Sequence, residues 1–169
     1  MKNKEYKKGF TIFLAMLVGS LALAIGAAIY DLTIRGLNLS FIANQSQYAI
    51  YAADTGAECA LYWDSKYSGS GSAFGTTTGS TWPSPGSNVL CNGQDISTSW
   101  DTSQKSASAA TTTFSLLFAP QPYCVAVTVS KYAAGGSIST TITARGYNTS
   151  CPPAVTATLR LERALQVSY

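Results

Sequence analysis

By residue type, the four cysteines at positions 59, 91, 124 and 151 are the side chains best suited to chemistry. Cysteines bond in pairs or hold zinc. Zinc is disfavoured here, because the 169 residues contain no Cys-x-x-Cys spacing and no histidine. The missing histidine also excludes Ser-His and Cys-His nucleophile pairs. Seven acidic residues are scattered beyond position 9 and offer no recognisable acid–base pair. Asp95 and Asp101 share one loop, but they lack the spacing of a calcium loop and read as solvated. No Gly-Lys-Ser or Gly-Lys-Thr phosphate loop is present, so a nucleotide enzyme has no support. Asn38, Asn44 and Asn148 open glycosylation sequons, a pattern too common to carry weight. The expectation is a non-enzymatic chain with no cofactor and no metal.

The charge distribution points the same way. The formal balance is +3, from 11 basic and 8 acidic residues. Residues 1–9 alone carry Lys2, Lys4, Lys7 and Lys8 against Glu5, so the rest of the chain is neutral. Lys131, Arg145, Arg160 and Arg163 are spread along expected strands and read as solubility charges. No nucleic-acid partner is expected, because counterion release needs clustered cations.

The elements that must position these residues begin with an uncharged run from Phe10 to Tyr30. At a helical rise of about 1.5 Å per residue it spans roughly 31 Å, enough to cross a bilayer. The lysines before it and Asp31 after it keep the N-terminal side in the cytoplasm and put everything beyond Tyr30 outside. Gly26-Ala27-Ala28 offers a secretory cleavage site, although the run exceeds the usual length of a signal peptide.

The junction Lys7-Lys8-Gly9-Phe10-Thr11-Ile12 resembles the leader of type IV pilins and pseudopilins. That resemblance implies a leader of residues 1–9, cut by prepilin peptidase between Gly9 and Phe10, with Phe10 becoming an N-methylated first residue. It also implies other pilin subunits and the pilus assembly machinery as partners. The chain would reside in the bacterial inner membrane as a single-pass protein, then on an extracellular pilus or the cell surface. Most major pilins carry glutamate five residues after the cut, and here that position is Leu14. A carboxylate in hydrocarbon is retained only for a partner, so its absence favours a minor subunit over the main filament protein. PilX-like minor pilins often lack it, and Tyr48–Trp63, with Ala52-Ala53-Asp54, resembles the stretch that closes their helix.

No proline interrupts residues 10–63, so the pattern predicts one helix of up to 54 residues, with 10–30 transmembrane. Within the membrane part, Ala15, Gly19, Ala22 and Gly26 form a small-residue stripe that lets another helix approach closely. Farther along, Ala49, Ala52, Ala53, Gly56 and Ala60 form a second stripe for a sheet to cover. Tyr48, Tyr51, Glu58 and Tyr62 stand opposite it and are left for other subunits.

Residues 64–119 are rich in Ser, Thr and Gly and read as a connecting loop, with Trp82, Val89–Cys91 and Trp100 as anchor points. From 120 to 169 the period switches to two. Val125, Val127 and Val129, then Ile138, Thr140 and Ile142, then Leu159, Leu161, Leu165 and Val167 predict a three-stranded antiparallel meander. Leu161 and Leu165 also fit a short helix, and Arg163, in phase with the leucines, marks an edge or a subunit contact. Around Gly135-Gly136, an antiparallel register with paired numbers summing to about 270 brings Cys124 near Cys151. Cys59 is then left for Cys91, pinning the loop to the helix end, in a compartment where disulfides persist.

The expected fold is therefore α+β and pilin-like, a long N-terminal helix packed on a small antiparallel sheet. The expected function is that of a minor structural subunit of a type IV pilus or pseudopilus. The alternative is a membrane-anchored surface-binding module that forms no filament.

Overall fold

The computed structural model describes residues 8–66, 72–75, 89–98, 101–105, 108–120, 122–151 and 159–169, with the backbone alone at 8, 9, 98 and 101–105. Residues 1–7 of the expected leader, the Thr76–Ser80 run, Trp82, Trp100 and Pro152-Pro153 lie outside the described residues. The chain divides into two compact units, Met1–Ala43 and Asn44–Tyr169.

A single helix, α1, runs from Lys8 to Lys66. In the first unit every side chain from Phe10 to Ala43 is exposed, including Phe10, Phe13, Met16, Leu23 and Ile29. The helix is long and apolar enough to cross a membrane. Two of its hydroxyls turn back onto the helix, Ser20 donating to the Leu17 carbonyl at 2.9 Å and Thr33 to the Ile29 carbonyl at 2.8 Å, so both are satisfied within the apolar surface. The first charges beyond the apolar run pair with each other, Arg35 to Asp31 at 3.0 Å.

In the second unit the helix packs on an antiparallel sheet, an α+β arrangement. The strands are β3 (Asp101–Lys105), β4 (Ala109–Phe118), β5 (Tyr123–Ala134), β6 (Ser137–Tyr147) and β7 (Glu162–Ser168), in chain order across the sheet. A hairpin of β1 (Leu90–Cys91) and β2 (Gln94–Asp95), followed by a short 3-10 turn at Ile96–Thr98, completes the described elements. Two tight turns use the residues that tolerate positive φ. Asn92-Gly93 closes β1–β2 with φ of 48° and 74°, and Gly135-Gly136 closes β5–β6 with 59° and 84°.

The sheet is larger than the alternation predicts. β4, with β1 to β3, falls inside 64–119, the stretch expected as a loop. Its sequence, Ala-Ala-Thr-Thr-Thr-Phe-Ser-Leu-Leu-Phe, does alternate, burying Ala110, Thr112, Phe114 and Leu116, but threonine on both faces blurs the hydrophobic period. The last segment is a strand from Glu162 onward, with Leu159 and Leu161 preceding it.

Side chains of β5 and β6 face the helix in alternate rows. Val125 sits opposite Gly146, Val127 opposite Ala144, Val129 opposite Ile142 and Lys131 opposite Thr140. Against them the helix buries Ala49, Ala52, Ala53, Ala57 and Ala60. The approach is close enough that only hydrogen fits at two glycines. A Cβ on Gly146 would collide with the Ala49 carbonyl and lie 2.7 Å from the Ala53 nitrogen, and one on Gly56 would lie 2.8 Å from Val125 and Val127.

Candidate functional site

Gly9 and Phe10 lie in the first turns of α1, with Phe10 67% exposed. The stripe of Ala15, Gly19, Ala22 and Gly26 is fully open, and a Cβ on Gly19 or Gly26 would meet nothing within 4 Å. Large apolar side chains flank it on every side. Burying apolar area gains about 25 cal/mol per Å², so such a surface is stable only in lipid or against other helices.

The cysteines join as two pairs, Cys59 with Cys91 and Cys124 with Cys151, at Cα separations of 5.9 and 5.6 Å. Cys124 faces Tyr147 in the β5–β6 register, four residues from its partner. The first pair ties the β1–β2 hairpin to the helix, helped by Trp63, whose indole N–H donates to the Leu90 carbonyl at 3.0 Å. The amide of Gln94 clamps the same hairpin to β4, donating to the Leu117 carbonyl and accepting from the Leu117 N–H at 3.1 Å.

Of the aromatic and acidic residues expected to stay free, Tyr48 does not. Its ring stacks on Tyr123 with centroids 4.4 Å apart, because position 48 turns toward the β4–β5 end of the sheet. With Tyr51 and Phe118 the pair lines a shallow apolar groove of about 250 Å³. Burial, then Tyr48, raises the Tyr123 phenol above its ordinary pKa. Tyr51, Asp54, Glu58 and Tyr62 remain exposed on the helix face turned away from the sheet.

The four sheet cations do not form one patch. Lys131 is buried and pairs with Asp64, itself buried in the last turns of the helix. Asp64 also accepts from the Ser72 hydroxyl and, at 2.6 Å, from the Tyr169 hydroxyl. The sheet builds this cluster. Thr140 pairs with Lys131 on one side and exchanges backbone hydrogen bonds of 2.8 and 3.0 Å with Tyr169 on the other, so one cross-strand row carries both groups under Asp64. Burial, then the hydrogen bond to Asp64 and its negative charge, holds the Tyr169 phenol well above the ordinary tyrosine range. The signal was present in sequence, since Lys131 continues the buried phase of Val125, Val127 and Val129.

Arg145 pairs with Glu162 at 3.1 Å, and Arg160 lies 3.9 Å from the same carboxylate and 5.1 Å over the Tyr147 ring. Arg163 sits on the edge strand β7 and donates from Nε to the Ser46 hydroxyl on the helix at 2.8 Å. Asn148, a sequon residue, is buried and bridges the Leu159 carbonyl and the Leu161 N–H, so it serves as a staple for the approach to β7. The carboxylate of Asp95 accepts from the Ser97 N–H and hydroxyl, a local turn, and the side chain of Asp101 lies outside the described residues. Among the described residues, no three Cys, Asp or Glu side chains converge as a metal would require.

The arrangement is thus a scaffold with unsatisfied surfaces, an apolar helix face and a tyrosine and acid ridge, around a buried Lys131–Asp64 pair that Tyr169 reaches from the sheet edge. Compared with family models, curated proteins and solved structures, the chain matches none.

Proposed function

We propose that this chain is a structural, non-enzymatic subunit of a type IV pilus or pseudopilus, of the minor kind. The observation that carries the reading is the change of environment along one helix. Its first unit exposes apolar side chains throughout, while in the second the same helix buries a stripe of alanine and glycine under a disulfide-tied sheet. The first part needs lipid or neighbouring helices, and the second carries its own core.

Assembly is the mechanism. Prepilin peptidase removes residues 1–9 at Gly9–Phe10, and the apolar part of the helix is held in the inner membrane. It then leaves lipid for a core of neighbouring helices, where the open stripe of Ala15, Gly19, Ala22 and Gly26 permits close approach. Leu14 brings no carboxylate into that core, which supports a place for this subunit among few copies or at a tip.

N-terminal mass analysis of the exported protein tests this reading. A chain beginning at N-methylated Phe10 is expected. An intact Met1 favours the filament-free surface module, and a start near Ile29 means ordinary secretion.

A further inference from the structure

In the second unit the helix covers one face of the sheet, and the other face carries a regular pattern of hydroxyls. Strand register sets them out in two rows. Thr113, Thr128, Thr143 and Gln166 stand side by side on β4, β5, β6 and β7, and Thr111, Ser130, Thr141 and Ser168 form the row beside them. The residues between the rows, Thr112, Val129 and Ile142 among them, are buried toward the helix, so these eight side chains face away from it. Beyond β4 the register continues to β3, whose side chains lie outside the described residues.

Strands lie about 4.7–4.9 Å apart and two residues advance about 6.7 Å, so the rows are two parallel lines of polar groups, each roughly 14 Å long. None of the eight is charged. Thr141 and Ser168 share a hydrogen bond of 3.2 Å, while the hydroxyls of Thr111, Thr113, Thr128, Ser130 and Thr143 bond to no other described residue. Tyr132 stands on the same face one step beyond Ser130, 56% exposed. On the opposite border Arg145, one step beyond Thr143, is already paired with Glu162 at 3.1 Å.

The chemistry of this face selects its occupant. An anionic lipid or a nucleic acid requires cations, and the rows have none. A protein partner requires large buried anchors, and the rows have none of those either. A hydroxyl both donates and accepts, so a line of hydroxyls matches a ligand that repeats the same groups along its own length. A tyrosine ring adds a flat apolar surface for the C–H side of a pyranose.

We propose that this face binds one neutral polysaccharide chain of the extended, β-1,4-linked kind, laid across the strands along the hydroxyl rows with the Tyr132 ring against one of its sugars. Each row offers one polar group about every 4.7–4.9 Å, close to the advance of such a chain per sugar. The sheet twists by about 20–25° from strand to strand, which a single chain follows and a flat crystalline polysaccharide does not. The site belongs to the second unit alone, and it serves a pilus subunit and a filament-free surface module equally.

Titration calorimetry tests the site, using the full-length chain in a detergent without a sugar headgroup. The probes are cellohexaose and the same oligomer oxidised to its C6 carboxylates. Cellohexaose is expected to bind, and the oxidised oligomer at least about tenfold more weakly, because its carboxylates are desolvated against a face without cations. Thr128→Val with Thr143→Val keeps the shape of the row and removes two hydroxyls, and is expected to weaken cellohexaose binding about tenfold. Tyr132→Ala is expected to cost about tenfold as well, and Tyr132→Phe to retain affinity. Valine suits a strand as well as threonine does, so an unchanged thermal midpoint verifies the fold of the paired variant. No binding of cellohexaose, equal affinity for both oligomers, or affinity untouched by the paired valines overturns the site. Binding lost in Tyr51→Ala but not in the row variants places the sugar in the helix-side groove and overturns it too. None of these outcomes touches the N-terminal processing on which the subunit reading is tested.

Discussion

Small residues mean opposite things in the two halves of one helix. Gly19 and Gly26 in the first unit have nothing within 4 Å of a would-be Cβ, whereas Gly56 and, across the interface, Gly146 in the second have no room for one. The stripe of Ala15, Gly19, Ala22 and Gly26 is open, and that of Ala49, Ala52, Ala53, Gly56 and Ala60 is covered by β5 and β6. The comparison teaches that a stripe of small residues records close approach without saying from where the approaching surface comes. In the second unit it comes from the same chain, through connections that two disulfides secure. In the first, none of the described residues covers the stripe.

Breaking the second unit should therefore cost folding stability, and altering the first should not. The largest loss is expected from Lys131→Met, which strands the buried Asp64 carboxylate and should cost about 3–5 kcal/mol by thermal or denaturant unfolding of the detergent-held chain. Adding Asp64→Leu should return most of it, because the uncompensated charge is then gone. Removing the Cys124–Cys151 bridge by paired alanines should cost about 3 kcal/mol, as loop closure in the unfolded chain is no longer restrained. Gly146→Ala should cost about 2–3 kcal/mol, since the helix must lift from β6 to admit a methyl group. Gly19→Ala and Gly26→Ala should leave the midpoint of the second unit within about 0.5 kcal/mol while weakening helix association in the membrane. A midpoint that moves as far as for Gly146→Ala would dissolve the contrast between the two stripes.

The smallest effect concerns pH. Tyr169 is held protonated by burial and by its hydrogen bond to Asp64, so its pKa is higher folded than unfolded. Above the ordinary tyrosine value of about 10 the unfolded chain gives up this proton while the folded one retains it, and stability falls as pH rises. Tyr169→Phe should be less stable at neutral pH yet lose less on going from pH 9 to 11, as followed by thermal midpoints.

Much of the scaffold was legible before the coordinates. Val125, Val127 and Val129 announce a strand by alternation, Gly135-Gly136 announces its turn, and the register that follows places Cys124 close to Cys151. β4 was not legible, because Thr111, Thr112 and Thr113 put the same residue type on both faces and erased the period. Nor was the role of Tyr48, which by helical phase belongs to the outer face and is drawn to Tyr123 only by where the β4–β5 connection brings that ring. Arg163 stood out as a charge among leucines, and its neighbour Ser46 is 117 residues away in sequence, a separation no local pattern spans.

The amino-acid order alone determined that one long helix opens the chain, the apolar character of its first part, the two small-residue stripes and the alternation of the central strands, while the helix itself runs from Lys8 to Lys66, past both ends of the expected 10–63. Each of these depends on the repeat of 3.6 or 2 residues within a few turns of chain. The tertiary structure alone decided that Lys131, Asp64, Ser72 and Tyr169 meet, that Gly146 must lack a side chain, and that Arg163 on β7 reaches Ser46 on the helix. Those outcomes depend on which row of one strand lies under which turn of the helix. That alignment is set by packing the whole sheet at once, and no single stretch of sequence carries it.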